Sequence, residues 1–337
     1  MPLGAAGRCQ RGGGGRYARR VTPGETTYAA AGVSLATAEA VVDRLRAAVE
    51  STRTPALVGG FGGFAGVYAL DERRLLAAST DGVGTKLILQ RRAGRLRDGG
   101  VDLAAHCIND VLTTGAEPLF MLDYVAANHI ELAEVAELVE GLAATCRAAG
   151  CVMLGGETAE LPGIYREQEL DFAGTCVGLV EREHLIDGTR CAPGDVVLGL
   201  PSAGIHANGF TLVRRLIGDG DFDADLLLPP TRLYLDAVRA LRERADVRAL
   251  AHITGGGIPG NLARVFQPGL GAVIDPAAWE WPEVFQWIAG HGVPLDELRS
   301  VFNLGIGYCA VIPAAAVRDG DLVIGRVEQG VAGVVFA

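Results

Sequence analysis

The sequence predicts a mixed α/β (α+β) chain built as two domains, and three observations lead there. At 337 residues it is long enough for two domains of ordinary size. Apolar runs of strand length alternate with segments of helical periodicity throughout. Near residue 183 the texture resets: Asp187-Gly188-Thr189 and Ala192-Pro193-Gly194-Asp195 carry turn chemistry before a new apolar run begins.

In chain order, residues 1–24 are rich in Gly and Arg, with Gly12 to Gly15 in a row, and read as a disordered extension without the apolar segment of a signal peptide. Ala36 to Ser51 reads as a helix with Val41, Val42, Leu45 and Val49 on one face, stopped by Pro55. Ala56 to Val58 leads into the loop Gly59-Gly60-Phe61-Gly62-Gly63-Phe64, and Leu75 to Ala78 reads as a buried strand. Val101 to Thr114 is expected to be helix, Leu119 to Val125 strand, and Leu132 to Ala149 helix with Gly150 at its C-terminal end. Cys151 to Leu154 is expected to be a buried strand and Phe172 to Val180 another. The first domain is drawn as 25–183 and the second as 184–337. The second should hold strands at 196–200, 271–275, 307–313 and 322–327, and helices at 209–217 and 231–244.

Composition narrows the function. A net charge of -10 argues against a nucleic-acid surface. No apolar stretch reaches the length of a bilayer span. Seven cysteines, odd in number and without C-x-x-C, argue against a disulfide framework or zinc site and suit a reducing cytoplasm.

The chemistry concentrates in a few stretches. Ser79-Thr80-Asp81-Gly82-Val83-Gly84-Thr85-Lys86 sets one carboxylate and one ammonium among glycines and hydroxyls, and Lys86 is the chain's single lysine. That choice suits a point-charge contact to phosphate. Asp81, Asp110 and Glu157 (in Gly155-Gly156-Glu157-Thr158) are each polar islands at element ends. As a set of hard oxygen donors they suit Mg²⁺ with a nucleotide; taken singly, each could be a helix cap or turn carboxylate. Gly204-Ile205-His206-Ala207-Asn208-Gly209 precedes a helix, and His252-Ile253-Thr254 leads into three glycines; both can cradle an anion, although Asn208 could equally cap its helix and His252 could be a satisfied core residue. Gly60-x-Gly62-x-x-Ala65 matches a dinucleotide fingerprint only weakly, for lack of the following helix. No Walker P-loop occurs. Trp279, Trp281 and Trp287 read as core or interface.

Taken together these stretches resemble the phosphoribosylformylglycinamidine cyclo-ligase (aminoimidazole ribonucleotide synthetase) family of purine biosynthesis. Asn109-Asp110-Val111, Gly115 to Phe120, Glu157 to Gly163, Pro230-Thr231-Arg232 and Phe302 to Gly307 join the motifs above in carrying the likeness across residues 27–313. The resemblance implies a two-domain fold whose N-terminal domains pair their sheets in a homodimer. It implies ATP-dependent ring closure of formylglycinamidine ribonucleotide by phosphorylation of its formyl amide oxygen. Carried over, it makes Lys86, Asp81 and His206 catalytic, and Asp81, Asp110 and Glu157 ligands of Mg²⁺. Gly59, Gly60, Gly62, Gly63, Thr80, Thr85, Asn109 and Thr158 would bind ATP; Asn208, Thr254, Gly255 and Gly256 would bind substrate. The chain departs from the family pattern at Ala29, Ala30 and Ser34, where a lysine and two aspartates are usual, at Leu304, and in shorter segments after Ile217 and Pro313. These departures leave two alternatives: a diverged paralogue activating another amide with ATP, or a non-catalytic binding homologue.

Overall fold

In the computed structural model, residues 26–337 are described; the expected extension at 1–24 lies outside them. The order of elements is α1 (Leu35–Glu50), β1 (Leu57–Val58), β2 (Gly66–Ala69), β3 (Arg74–Gly82), α2 (Lys86–Arg92), α3 (Leu96–Leu112), β4 (Glu117–Ala127), α4 (Leu132–Ala149), β5 (Val152–Glu160) and β6 (Leu170–Glu181). There follow β7 (Val196–Pro201), α5 (Phe210–Ile217), α6 (Ala224–Leu227), α7 (Leu235–Arg244), β8 (Ala249–His252), α8 (Gly257–Leu262), β9 (Leu270–Ile274), α9 (Glu283–Gly290), α10 (Leu295–Val301), β10 (Ile306–Ile312), β11 (Val323–Gln329) and β12 (Gly333–Phe336).

Two six-stranded sheets organise the chain. The first runs β1-β2-β3-β6-β4-β5 and the second β12-β9-β11-β7-β10-β8. Pairing is antiparallel except at β4/β5 and β9/β12. On β3, Leu75, Ala77 and Ser79 are buried while Arg74, Ala78 and Thr80 are exposed, so the strand is buried on one side only. The inner face is covered by α3 and, outside it, α4. These two helices cross at glycines: a Cβ on Gly100 would lie 1.9 Å from Leu138 O, and one on Gly141 1.9 Å from Arg97 O. Helix α3 is thereby buried along nearly its whole length. It carries its polar residues, Asp102, His106, Asn109 and Asp110, into the seam between the two sheets.

Three expectations change. Of the apolar stripe of α1, Val41, Leu45 and Val49 are exposed, and the Val42 side chain lies outside the described ones. Strand β5 is the edge of its sheet, not a buried strand, and Val152 and Leu154 are exposed. In the run Val152-Met153-Leu154, Met153 packs against the core while Val152 and Leu154 stay uncovered within one chain. Finally, β2, β8, β12, α9 and α10 are elements that the sequence pattern left unassigned.

Candidate active site

Two polar clusters fasten the first sheet's helices to the second domain. In one, Lys86 opens α2 and is wholly buried. Its Nζ donates to Asp102 Oδ1 at 2.9 Å and Pro229 O at 2.9 Å, and lies 2.8 Å from Asp102 Oδ2. Asp102 also accepts from Gln90 Nε2 and from both the backbone N and Oγ1 of Thr231, each at 2.7 Å. Burial pulls the Lys86 ammonium below its ordinary value, and the Asp102 charge and hydrogen bond only partly offset that. Its donors are engaged inside a sealed junction, where the single ammonium holds the Pro229–Thr231 turn to α2 and α3.

Asn109 is a second latch. Its Nδ2 donates to Arg232 O at 2.8 Å, and its Oδ1 accepts from Tyr234 N at 3.0 Å. Tyr308 Oη donates to Asn109 O at 3.0 Å. The asparagine is fully buried and bonds residues of the second domain, so it holds the two domains together. His206 is likewise buried, at φ +67°, with Nε2 facing the backbone N of Ala203 and Arg232 at 3.4 and 3.5 Å. Burial, and then the nearby His252, His106 and Lys86 charges, hold it well below the usual imidazole range. A neutral, enclosed imidazole organises the 202–209 loop.

The other cluster lies around Asp81 at the end of β3. Its side chain is 37 % exposed and Oδ2 stands 3.6 Å from His106 Nδ1. Asp110 is committed on both oxygens, Oδ1 to His252 Nδ1 at 2.9 Å and Oδ2 to Ser79 Oγ at 3.0 Å. The His106 and His252 rings meet edge-on, 5.1 Å apart, and His252 continues through Tyr308 and Tyr234 to His206 in a ladder of rings. The Nε2 atoms of His106 and His252 have no hydrogen-bond partner among the described residues. Burial opposes charge on all of these groups. For Asp81 the hydrogen bond and charge of His106 win and hold the carboxyl below its ordinary value; for His106 the same partner wins and raises the imidazole. For His252 burial wins over Asp110 and lowers it. His106 was invisible in the sequence because it lies mid-helix with no motif around it.

Beside this cluster, the glycine loop covers a cavity of about 380 Å³. Gly59, Gly60, Gly62 and Gly63 line it together with Thr113, Thr114 and Arg264. Arg264 donates to Gly62 O at 3.2 and 3.0 Å and to Gly63 O at 2.7 Å, and its guanidinium sits 4.0 Å from the Phe64 ring centroid. Burial lowers it, against the opposing charges of Asp110 and Asp81. Arg264 thus pins the loop of the first domain to the second. No motif flags it in the sequence.

Asn208, Thr254, Gly255 and Gly256 are brought together: a Cβ on Gly255 would lie 3.4 Å from Asn208 Oδ1. Asn261 Nδ2 bonds the carbonyls of Thr254, Gly255 and Gly257 and fixes the turn. The remaining expected ligands scatter. Thr80 is on the outer face, 2.8 Å from Thr175 Oγ1; Thr85 Oγ1 meets Thr211 Oγ1 at 3.1 Å; Thr158 is exposed on the edge strand.

The expected Mg²⁺ triad is not assembled in one chain. Register places Asp81 across from Gly174, Asp123 and Gly156, whereas Glu157 shares the row of Tyr124, Ala173 and Gly82. Alternate rows point to opposite faces, and β5 lies three strands, about 14 Å, from β3. Among the described residues no group of three His, Cys, Asp or Glu could hold a metal ion.

A family model for the N-terminal domain of AIR synthase related proteins matches residues 62–180, and one for the C-terminal domain matches 192–334. The chain belongs to the AIR synthase related family. Among its relatives, a phosphoribosylformylglycinamidine cyclo-ligase of Thermosynechococcus vestitus is 47% identical over 306 residues, covering 86% of this chain and 90% of that protein. One of Myxococcus xanthus is 45% identical over 333 residues, covering 90% and 96%. Among solved structures, AaThiL complexed with AMPPCP and TMP gives a TM-score of 0.65 at 16% identity, covering 90% of this chain and 95% of that one. The hydrogenase maturation protein HypE gives 0.60 at 22%, covering 77% and 84%. At such identities the structural likenesses establish the fold: two AIR synthase-type domains, each with its own mixed sheet.

Proposed function

We propose that this chain is a phosphoribosylformylglycinamidine cyclo-ligase, an ATP-dependent ligase that closes formylglycinamidine ribonucleotide to aminoimidazole ribonucleotide in purine biosynthesis. The observation that carries this reading is near full-length identity of 45–47% to proteins of that name. At that level the departures at Ala29, Ala30 and Ser34 do not favour a paralogue. Ser34 itself keeps a helix-capping role, its Oγ accepting from Thr37 N at 3.1 Å.

ATP supplies a phosphoryl group that makes the formyl amide oxygen a good leaving group, so that attack by the neighbouring nitrogen expels phosphate and closes the ring. Such chemistry needs positioning and charge neutralisation rather than a covalent nucleophile. The cavity under the glycine loop fits that need. Gly59, Gly60 and Gly62 have open space where a Cβ would stand, so backbone can approach a phosphate. Arg264 would hold the loop over it and exclude water. Asp81 is partly exposed, its charge acts on Arg264 at the cavity wall, and it would face any Mg²⁺ that arrives with ATP. Within one chain Glu157 lies on the opposite face of the sheet, and both Asp110 oxygens are already engaged by His252 and Ser79. Asn208 and the Thr254–Gly256 turn would orient the amide-bearing end of the substrate. The neighbour solved with AMPPCP supports an ATP-like ligand on this fold.

We further propose a homodimer formed on the first sheet, where Tyr68, Leu122, Tyr124, Val152 and Leu154 leave an apolar exposed area. A reducing cytoplasm suits cysteines that serve as buried core residues. The test is ADP and imidazole production from Mg-ATP and formylglycinamidine ribonucleotide, with Asp81→Ala beside the native protein. Substrate-dependent ADP that disappears in the variant is expected. ATP-dependent thermal protection without any ADP would sink the activity while leaving nucleotide binding intact.

A further inference from the structure

A groove on the far side of α2 from the Lys86 junction carries no assigned role. It has a volume of about 720 Å³ and is lined by Arg92 at the end of α2, Thr211, Arg214 and Arg215 on α5, Ala31 and Asp219. Three guanidinium groups converge there in a chain of net charge -10. None is neutralised: among the described residues no carboxylate lies within ion-pair distance of Arg92, Arg214 or Arg215, and Asp219 is exposed at the rim. Two of the three are fixed by neutral groups. Arg92 Nη2 donates to Gly220 O at 2.9 Å and its guanidinium lies 5.2 Å from the Phe222 centroid. Arg215 Nη1 donates to Ala30 O. Arg214 has no side-chain hydrogen bond, ion pair or ring contact to another described residue. Burial, and then the charge of Arg92, hold it below the ordinary guanidinium value, so the pair repel each other as they stand.

Several other arginines of this chain do have carboxylate partners. Arg74 has Asp71, Arg91 has Glu134, Arg239 has Glu117 and Arg248 has Asp195. A cluster that withholds that partner, and preorganises two of its three forks on carbonyls, is built for an anion from outside. Its size and charge suit a phosphate monoester, with the Thr211 hydroxyl as a further donor. Thr211 also meets Thr85 at 3.1 Å, and Thr85 follows Asp81 by four residues, at most about 14 Å of chain. A ribonucleotide can bridge that span.

We propose that Arg214, with Arg92 and Arg215, binds the 5′-phosphate of the ribonucleotide substrate, leaving the glycine-loop cavity to ATP. The assignment of this phosphate to the substrate rests on the cyclo-ligase reading; the existence of the anion site does not.

The experiment compares the native protein with Arg214→Gln and Arg92→Gln in two assays. In steady-state kinetics, Arg214→Gln should raise KM for formylglycinamidine ribonucleotide about 10- to 100-fold, the range of one charge-assisted hydrogen bond, with KM for ATP and kcat unchanged. In thermal titration with ribose 5-phosphate, the native protein should gain stability and Arg214→Gln should gain none, while both start from the same melting temperature. Arg92→Gln should give a smaller change in the same direction, and Arg214→Lys should recover part of the loss. A ribonucleotide KM within twofold of native overturns the proposal, as does a rise that falls on ATP instead. If the native protein makes no imidazole product yet ribose 5-phosphate protects it and not Arg214→Gln, the anion site stands and the cyclo-ligase reading fails. Equal protection of both proteins removes the site whatever the activity.

Discussion

The seam between the two domains holds two polar clusters that differ in how completely they are satisfied. Around Lys86 and Asp102, each carboxylate oxygen has a donor, the ammonium has a carboxylate and a carbonyl, and neither side chain is exposed; the charged groups are satisfied, and the neutral Gln90 Oε1 alone in this cluster lacks a partner among the described residues. Around Asp81, one carboxylate is partly open and two buried imidazoles keep an Nε2 without a partner. The first has the composition expected of an active site, a lysine after a glycine-rich turn, and is a joint. The second is less conspicuous in sequence and is the place where a ligand has something left to bind. Satisfaction, more than residue type, separates structure from function here.

The largest effect should come from breaking the satisfied cluster. Lys86→Met leaves the Asp102 carboxylate buried without its counter-ion, which costs about 3–5 kcal/mol. Urea unfolding should show this as a large fall in midpoint or as failure to recover folded protein. If stability stays within 1 kcal/mol of native and ATP turnover alone collapses, Lys86 contacts phosphate after all and the comparison fails.

Asp81→Asn should do the reverse. Its side chain is partly exposed and its contact to His106 is long, so stability should change little, whereas turnover should fall about 100-fold or more through lost positioning. A variant that unfolds at lower urea but turns over normally would assign Asp81 to the joint.

Glycines offer a parallel contrast. Gly257 has φ +59° and a Cβ there would lie 2.0 Å from Arg299 O, so Gly257→Ala should cost about 2–3 kcal/mol. Gly60 has no positive φ and nothing within 4 Å of its Cβ position. Gly60→Ala should therefore leave melting within 1–2 °C of native, by about 0.5 kcal/mol or less, and any loss should appear in KM for ATP.

Much of the fold was legible in sequence and less of the site. Helix α4 was readable to the residue because Leu138, Leu142 and Cys146 recur at helical spacing and Gly150 closes it at φ +69°. Strand β5 was misread because burial on one side of a sheet depends on what covers it, and Val152 and Leu154 look the same whether or not something does. The glycine loop at 59–64 and the glycine turn after Thr254 were legible because a tight turn constrains sequence locally. Asp102, His106 and Arg264 were not, because each has partners a dozen or more residues away along the chain, fixed only by the docking of α3 and of the second domain. Glu157 failed for a different reason: a one-residue change of register moves a side chain to the opposite face, and composition does not encode register.

The smallest effect tests the enclosed imidazole. His206 is buried and its folded value lies well below that of a free histidine, chiefly through burial. A lowered imidazole contributes stability that is present above the unfolded value, near 6.5, and is lost as pH falls below it, because the unfolded chain takes up a proton that the folded one refuses. Between pH 7 and 5.5 this one group should remove about 1 kcal/mol. His206→Gln should be less stable than native at pH 7, since it disturbs the 202–209 loop, but the gap should narrow by about that amount at pH 5.5. Urea unfolding of both proteins at the two pH values measures it directly. A gap that stays constant would mean that His206 takes up its proton in the folded protein as well, which an imidazole exposed to substrate would do and a sealed one does not.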